Sequence, residues 1–100
     1  MAQLDKNGYS LSFLNSVDGV CFLCKEQADT VRHEIFPGKA GRRISKEHGF
    51  WVALCVPHHM IVHQNEDYAI RALKRPCMKK YLETHSEDEW RKLIGGFYGE

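Results

Sequence analysis

FWVALCVPHHMIVH, residues 50–63, joins a strand directly to a short helix. The first five residues of this segment are rich in aromatic and β-branched types, which favour strand structure. Pro57 suits the first turn of a helix, because the backbone N–H that proline lacks has no partner there in any case. The segment therefore predicts a strand over residues 50–54, followed by a helix from His58 to about Gln64.

Upstream of this unit, the sequence predicts a second strand and a loop. Residues 31–36 include Val31, Ile35 and Phe36 and are stopped by Pro37 and Gly38, as expected of a strand. Residues 37–49 contain further glycines and a series of basic side chains, and we expect them to form a surface loop. Residues 1–18 are polar and weakly patterned, which indicates an N-terminal extension.

The C-terminal third is predicted to be helical. A helical pattern starts near Asp67, is interrupted at Pro76 and continues over residues 78–84. Ser86 and Glu89 have the spacing of a capping box, which begins a last helix. We therefore predict one α+β domain with three parts: an N-terminal extension (residues 1–18), a core (residues 19–66) and C-terminal helices that pack on the core (residues 67–100).

The composition is that of an ordinary soluble globular protein. The chain has 100 residues, of which 43% are hydrophobic types and 27% are charged. With 14 Lys and Arg residues against 13 Asp and Glu residues, the formal net charge is +1, which excludes a uniformly basic surface but not a local basic patch. The hydrophobic core alone is marginal, because a domain of this size buries only about 65% of the surface of its unfolded chain.

The sequence also bears on the compartment. No apolar run approaches the roughly 20 residues that a membrane span needs, and the N-terminus lacks the apolar core of a signal peptide. We therefore expect a cytoplasmic protein without membrane attachment. Since thiols stay reduced in the cytoplasm, clustered cysteines are expected to bind metal rather than to form disulfides.

Two pairs of residues have the spacing of zinc ligands. Cys21 and Cys24 form a Cys-x-x-Cys turn, and Cys55 and His58 form a Cys-x-x-His turn. Two turns with two donors each supply the four tetrahedral ligands of structural Zn²⁺. We predict that these four residues hold a structural zinc; buried free cysteines, a disulfide and a redox pair are the alternatives. A redox pair would need βαβ surroundings, which the sequence does not predict.

Two further histidines follow the second pair. His59 and His63 are four residues apart, so on a helix their imidazoles lie on one face and can share a metal ion. Met60 occupies the position where a metalloprotease motif has its Glu. A two-Cys, two-His finger is disfavoured, because its spacer is about 12 residues, whereas 34 residues separate Cys24 from His59. The alternative is a pair of surface histidines on an amphipathic helix.

Three motifs together suggest a family. They are the Cys-x-x-Cys turn, HEIFPG at residues 33–38 and GFWVxLCxxHHxxxH at residues 49–63. As a set they resemble the HNH endonucleases of the His-Me finger (ββα-metal) superfamily, and most closely its small phage-borne members. The resemblance covers residues 21–63. It implies a hairpin packed on one helix, with a catalytic divalent ion between them and a structural zinc at the base.

The resemblance also implies roles for individual residues. His59 and His63 match the helical ligands of the catalytic ion. One alignment of the hairpin makes His33 a third ligand and Glu34 the general base. The other alignment makes His33 the base and puts Arg32, which cannot bind a metal, at the ligand position.

The activity implied by the resemblance is metal-dependent hydrolysis of DNA phosphodiester bonds, in the host cytoplasm if the chain is phage-encoded. The catalytic ion would be Mg²⁺, Mn²⁺ or Zn²⁺. A protein partner that recruits or activates the enzyme is compatible with the sequence. Affinity for DNA would come from phosphate contacts of four basic residues in the predicted loop: Lys39, Arg42, Arg43 and Lys46.

Two alternative functions remain open. The central Asn of the family would fall near Phe50, where the sequence has none. The chain can instead be a non-catalytic zinc-stabilised module that binds nucleic acid or protein through a degenerate site. In the other alternative, His33, His59 and His63 close a second structural zinc site.

Overall fold

The computed structural model describes residues 4–99 and has an α+β fold built on a two-stranded antiparallel sheet. Strand β1 spans Thr30–Glu34 and strand β2 spans Trp51–Cys55. The helices are α1 (Lys39–His48), α2 (Val56–Gln64), α3 (Glu66–Ala69), α4 (Arg75–Tyr81) and α5 (Glu87–Leu93), with a π-helical turn over Ile70–Lys74 between α3 and α4. The first three residues of the predicted N-terminal extension and Glu100 lie outside the described residues. No helix within residues 4–99 has both the length and the apolar character needed to cross a bilayer.

The predicted passage from strand to helix is confirmed. Strand β2 runs from Trp51 to Cys55, and helix α2 begins at the next residue, with Pro57 in its first turn. Val52 and Leu54 of β2 are fully buried, as expected for a strand that packs inside the domain. Since no loop separates the two elements, the end of the strand fixes where the helix starts.

The predicted surface loop over residues 37–49 is wrong, because most of it forms α1. Gly38 precedes the helix with a φ of 92°, and Gly49 ends it in the left-handed conformation with a φ of 77°. Gly41 lies inside the helix, where an added Cβ would stand 2.8 Å from the carbonyl oxygen of Phe36. Gly38 and Gly49, which favoured the loop prediction, thus flank the two ends of a helix. Gly41 allows this helix to pack closely against the backbone of Phe36.

Buried hydrogen bonds attach α1 to its surroundings. The Ser45 hydroxyl accepts a hydrogen bond from the Phe36 N–H (3.1 Å) and donates to the Phe36 carbonyl (3.3 Å). The Lys46 carbonyl accepts a hydrogen bond from the Ser10 N–H (2.8 Å). Helix α1 is therefore fixed both to the end of β1 and to the N-terminal segment.

Residues 4–18 contain no regular helix or strand, yet they bind along the edge of β2 that does not pair with β1. The Ser12 hydroxyl donates to the Trp51 carbonyl (2.8 Å), and the Ser16 hydroxyl accepts from the Ala53 N–H (2.8 Å). The Trp51 indole donates to the Ser10 carbonyl (2.9 Å). Because the three serines are buried, this segment is part of the packed domain.

The helical pattern does not break at Pro76, contrary to the prediction. The chain stays helical from Glu66 to Tyr81, and the turn just before the proline widens to a π-helix. In this turn the Arg75 N–H donates to the carbonyl of Ile70, five residues earlier. A proline ring clashes with the carbonyl four residues before it in a regular α-helix, and the wider turn relieves this clash.

The capping box of the last helix is confirmed. The Ser86 hydroxyl accepts from the Glu89 N–H (3.1 Å), and the Glu89 carboxylate accepts from the Ser86 N–H (2.9 Å). This start directs Trp90 into the core, where it is fully buried. The core is one cluster that draws on β2, on the two residues that follow β1 and on the C-terminal helices; its largest fully buried side chains are Trp90, Phe50, Ile35, Leu54 and Leu73.

Gly49→Ala is expected to destabilise the protein far more than Gly95→Ala. Both glycines have positive φ angles, 77° and 92°, so each substitution carries a conformational strain of about 1–2 kcal/mol. Only at Gly49 would the new Cβ collide, because it would stand 2.1 Å from the Leu11 carbonyl oxygen, while nothing lies within 4 Å at Gly95. Urea unfolding should show a loss for Gly49→Ala that is larger by about 2 kcal/mol or more. Equal losses would contradict the close packing of the N-terminal segment on the end of α1.

Candidate metal centres

The four predicted zinc ligands lie together where β2 meets α2. The ligand atoms of Cys21, Cys24, Cys55 and His58 all lie within 4.8 Å of one another. His58 Nδ1 is 3.2 Å from Cys55 Sγ and 3.9 Å from Cys21 Sγ. Around tetrahedral zinc, with bonds of about 2.0–2.3 Å, neighbouring ligand atoms lie about 3.5–3.8 Å apart. The cluster can therefore hold a metal ion such as zinc with only small adjustments.

Local backbone hydrogen bonds build the first ligand turn. The Lys25 N–H donates to the Cys21 carbonyl (2.8 Å), and Lys25 itself adopts a φ of 66° that closes the turn. The Phe22 N–H donates to the Ala53 carbonyl (2.8 Å) and so fastens the turn to β2. The second ligand pair needs no separate turn, because one member ends β2 and the other lies in the first turn of α2.

The thiols are free, and their surroundings influence their charge. Burial acts to raise the pKa of Cys21, but hydrogen bonds from the backbone N–H groups of Cys24, Cys55 and Leu23 outweigh it and lower this pKa to about 6. The N–H of Glu26 acts to lower the pKa of Cys24, yet burial and the two neighbouring thiols raise it. At neutral pH the cluster thus already contains a thiolate, which is the form that binds zinc.

A second cluster consists of His33, His59 and His63. Their ligand nitrogens lie within 4.8 Å of one another. The ring of His33 is centred 5.5 Å from that of His59 and 5.1 Å from that of His63, while His59 Nε2 and His63 Nε2 are 2.9 Å apart. Strand β1 supplies the first imidazole, opposite Val52, and successive turns of α2 supply the other two. The structure thus brings the three predicted imidazoles to one point between the hairpin and the helix.

The histidine cluster opens into a small pocket of about 150 Å³. Among the described residues the cluster offers three ligand groups, and Glu34 lines the same pocket without belonging to the cluster. A site with three protein ligands keeps a coordination position open for water or substrate. The pocket is lined by Arg32, His33, Glu34, Pro37, Arg42, His59 and His63.

Burial favours the neutral form of two of the three imidazoles, His33 and His59. It lowers the pKa of His33 to about 4, and the positive charges that His63, His59 and Lys74 can carry act in the same direction. Burial, followed by the influence of His63, also lowers the pKa of His59, and Glu34 opposes this shift. A neutral imidazole is the form that coordinates a metal. The shifts of His33 and His59 therefore favour binding of a cation at neutral pH.

The four predicted DNA-binding residues occupy α1 rather than a loop. Lys46 lies three residues after Arg43 and four after Arg42, which puts these three on one face of the helix. Lys39 is the first residue of α1, and its side chain lies outside the described part of the structure. Arg42 lines the histidine pocket, and Lys46 Nζ lies 4.8 Å from the centre of the Tyr9 ring. Arg43 makes a long ion pair of 3.9 Å with Glu47. The spacing was readable in the sequence, but the glycines led to the loop interpretation.

Sequence reasoning missed two residues that act on groups of the pocket, Tyr9 on Glu34 and Lys74 on His33. The Tyr9 hydroxyl donates a hydrogen bond to Glu34 Oε2 (3.2 Å). Lys74 lies in the π-helical turn and is buried, with its ammonium group 3.1 Å from Glu66 Oε1. Neither residue belongs to a motif, and both reach the site only through tertiary packing. A lysine at an amphipathic helical position gives no signal that it will be buried.

Cys24→Ala is expected to abolish tight zinc binding, whereas Cys77→Ala is expected to retain it. The first change removes one of four clustered ligands, while Cys77 is buried outside the cluster. After dialysis against a weak chelator, metal analysis should find about one zinc per chain in the wild type and in Cys77→Ala, and almost none in Cys24→Ala. A strong chelator should lower the unfolding midpoint of the wild type, because the ion binds the folded state. Zinc retained by Cys24→Ala would contradict the ligand assignment.

Comparison of the chain with known protein families, with characterised proteins and with solved structures gave no match. No relative therefore assigns a role to either cluster.

Proposed function

We propose that the chain is a metal-dependent DNA endonuclease of the HNH type, with a ββα-metal core. The observation that carries this proposal is the convergence of His33 from β1 with His59 and His63 from α2 on an open pocket. The two antiparallel strands and the helix that follows them provide the hairpin and helix that such a core requires. Cys21, Cys24, Cys55 and His58, here called the thiol cluster, would hold the structural zinc at the base of this core.

The donor set of the histidine cluster fits a catalytic cation. Imidazole nitrogens suit Zn²⁺ and other transition metals, whereas Mg²⁺ prefers oxygen ligands. When bound, the cation supplies electrostatic stabilisation to the phosphate and to the leaving oxygen. The role of the three imidazoles is to hold it in place through the fixed geometry of strand and helix. This role occupies His33 as a ligand.

Glu34 is then the group that accepts a proton. Glu34 lines the pocket beside the cluster, so a water molecule bound there would lie near both the base and a bound phosphate. As the water oxygen attacks the phosphorus atom, its proton passes to the carboxylate and the 3′-oxygen departs. This assignment corresponds to the hairpin alignment in which His33 is a ligand and Glu34 is the base. That alignment does not require Arg32 to bind the metal ion. Arg32 is occupied by ion pairs to Asp5 (2.9 Å) and Asp18 (2.6 Å).

Arg42 is the residue that we assign to substrate phosphate. It is exposed at the mouth of the pocket, and its guanidinium group makes no ion pair with any side chain that the structure describes. A guanidinium group binds phosphate through two parallel hydrogen bonds. The face of α1 that carries it continues the positive charge away from the pocket, as a phosphate backbone requires.

The wild type is expected to nick supercoiled plasmid with Mn²⁺, Co²⁺ or Zn²⁺ and to be inhibited by a chelator. His63→Ala and Glu34→Gln should each lower the rate by about 100-fold or more, the first by weakening the metal site and the second by removing the base. His85→Ala is the matched control, because this histidine stacks on Tyr81 outside the cluster and should leave the rate unchanged.

Three results would contradict the proposal. Full activity of His63→Ala and Glu34→Gln would show that cleavage takes place elsewhere or comes from a contaminant. Absence of cleavage by the wild type with every ion, together with a second zinc as tightly held as the first, would favour the closed structural site. Absence of cleavage with only one tight zinc would favour the non-catalytic binding module.

Arg42→Ala is expected to raise KM for DNA several-fold and to reduce by about one the slope of log affinity against log salt concentration. The reason is the loss of one phosphate contact at the pocket. Arg71→Ala is the control, since this exposed arginine is paired with Asp67 (3.0 Å) on another helix. Measurements of KM and of binding to an uncleaved duplex at several salt concentrations separate the two variants. An unchanged slope for Arg42→Ala would remove Arg42 from the interface.

A further inference from the structure

Strand β1 divides its side chains between two neighbours. Side chains alternate along a strand, so His33 faces one side while Arg32 and Glu34 face the other. The His33 ring meets the α2 histidines. The Arg32 guanidinium lies against the rings of Tyr9 (4.7 Å) and Trp51 (4.3 Å). Glu34, at the end of the strand, is in contact both with the N-terminal segment and with the pocket.

Tyr9 is held firmly on this second side. Its N–H donates to Asp5 Oδ1 (2.9 Å), and its carbonyl accepts from the Asp5 N–H (2.7 Å). Its ring meets the edge of Trp51 at 5.8 Å, between the cationic groups of Arg32 and Lys46. Asp5 is in turn bound to Arg32. The phenol is therefore fixed by aromatic, cationic and backbone contacts before it reaches the carboxylate.

The hydroxyl of Tyr9 donates to Glu34 Oε2 at 3.2 Å. Among the described residues, this is the side-chain hydrogen bond that the Glu34 carboxylate accepts. The bond is longer than the common O–H···O distance of about 2.7–2.8 Å, so it orients the carboxylate without binding it tightly. A glutamate side chain has three rotatable bonds, and a base must stand within hydrogen-bond reach of its water.

We propose that Tyr9 is a positioning residue that orients the Glu34 carboxylate toward the histidine pocket. This inference rests on the proposed function, and it makes the N-terminal segment part of the active site. The Arg32 cluster, defined here as Arg32, Asp5, Tyr9 and Trp51, is the support that holds the phenol in place. Its role is then to fix the position of a base on the same face of β1, at the end of the strand that borders the pocket.

Tyr9→Phe tests the inference, because it removes the hydroxyl and keeps the ring. The expected result is a fall in kcat of about 10-fold or more, with KM, zinc content and the unfolding midpoint close to those of the wild type. Tyr68→Phe is the matched control, since the Tyr68 hydroxyl donates no hydrogen bond to a described residue, and it should leave kcat unchanged.

A double-mutant cycle separates positioning from a general structural role. In a Glu34→Ala background, Tyr9→Phe should cause no further loss of kcat, because the group through which it acts is gone. An equal loss in both backgrounds would overturn the inference. A kcat of Tyr9→Phe equal to that of the wild type would also overturn the inference. In that case, nicking of plasmid by the wild type would still support the proposed function.

A readout that does not depend on activity completes the test. The ¹³C resonance of the Glu34 carboxyl carbon, measured at one fixed pH in the zinc-bound protein, should shift in Tyr9→Phe and stay in place in Tyr68→Phe. An unmoved resonance would show that the hydrogen bond does not hold in solution and would overturn the inference. Failure of the wild type to cleave DNA would overturn the proposed function and, with it, the catalytic purpose of Tyr9, even if the resonance shifts.

Discussion

The direct passage of β2 into α2 constrains both clusters of candidate ligands. Cys55 ends the strand and helix α2 starts at the next residue, so no loop absorbs a change in the angle between them. The first helical turn gives His58 to the thiols, and the next residue, His59, already belongs to the other cluster. One rigid segment therefore sets the distance between the two sites. A metal ion in the thiol cluster would make the junction more rigid. It would thereby also fix the positions of His59 and His63, without any additional chain segment.

Much of this arrangement could be predicted from local pattern. The apolar run of β2, the proline in the first turn of α2 and the ligand spacings are each set by neighbouring residues, and the structure reproduces them. The capping box of α5 is also local, because the bonds between Ser86 and Glu89 form within one turn. That His33 would meet the histidines of the helix was expected from the resemblance of the three motifs, because no local pattern connects a residue of β1 with α2.

The features that sequence reasoning missed depend on tertiary contacts. Helix α1 has glycines at both ends and one inside, a composition that indicates a loop when the segment is considered alone. The helix forms because Ser45 and its neighbours are buried against the end of β1, and packing outweighs intrinsic propensity. In the same way, Pro76 indicates a helix break, but the chain widens one turn and continues. The hydrogen bond from Tyr9 to Glu34 joins residues that are 25 positions apart in the sequence, so no local pattern indicates it.

Gly41 has a consequence for how this molecule can vary. Helix α1 approaches the Phe36 carbonyl so closely that a single methyl group would not fit between them. Any larger residue at this position would act as a wedge, lifting the helix and with it the guanidinium group of Arg42 from the rim of the crevice. The absence of a side chain at Gly41 therefore sets the distance between Arg42 and the imidazoles. A substitution at this position would widen the crevice although Gly41 does not line it.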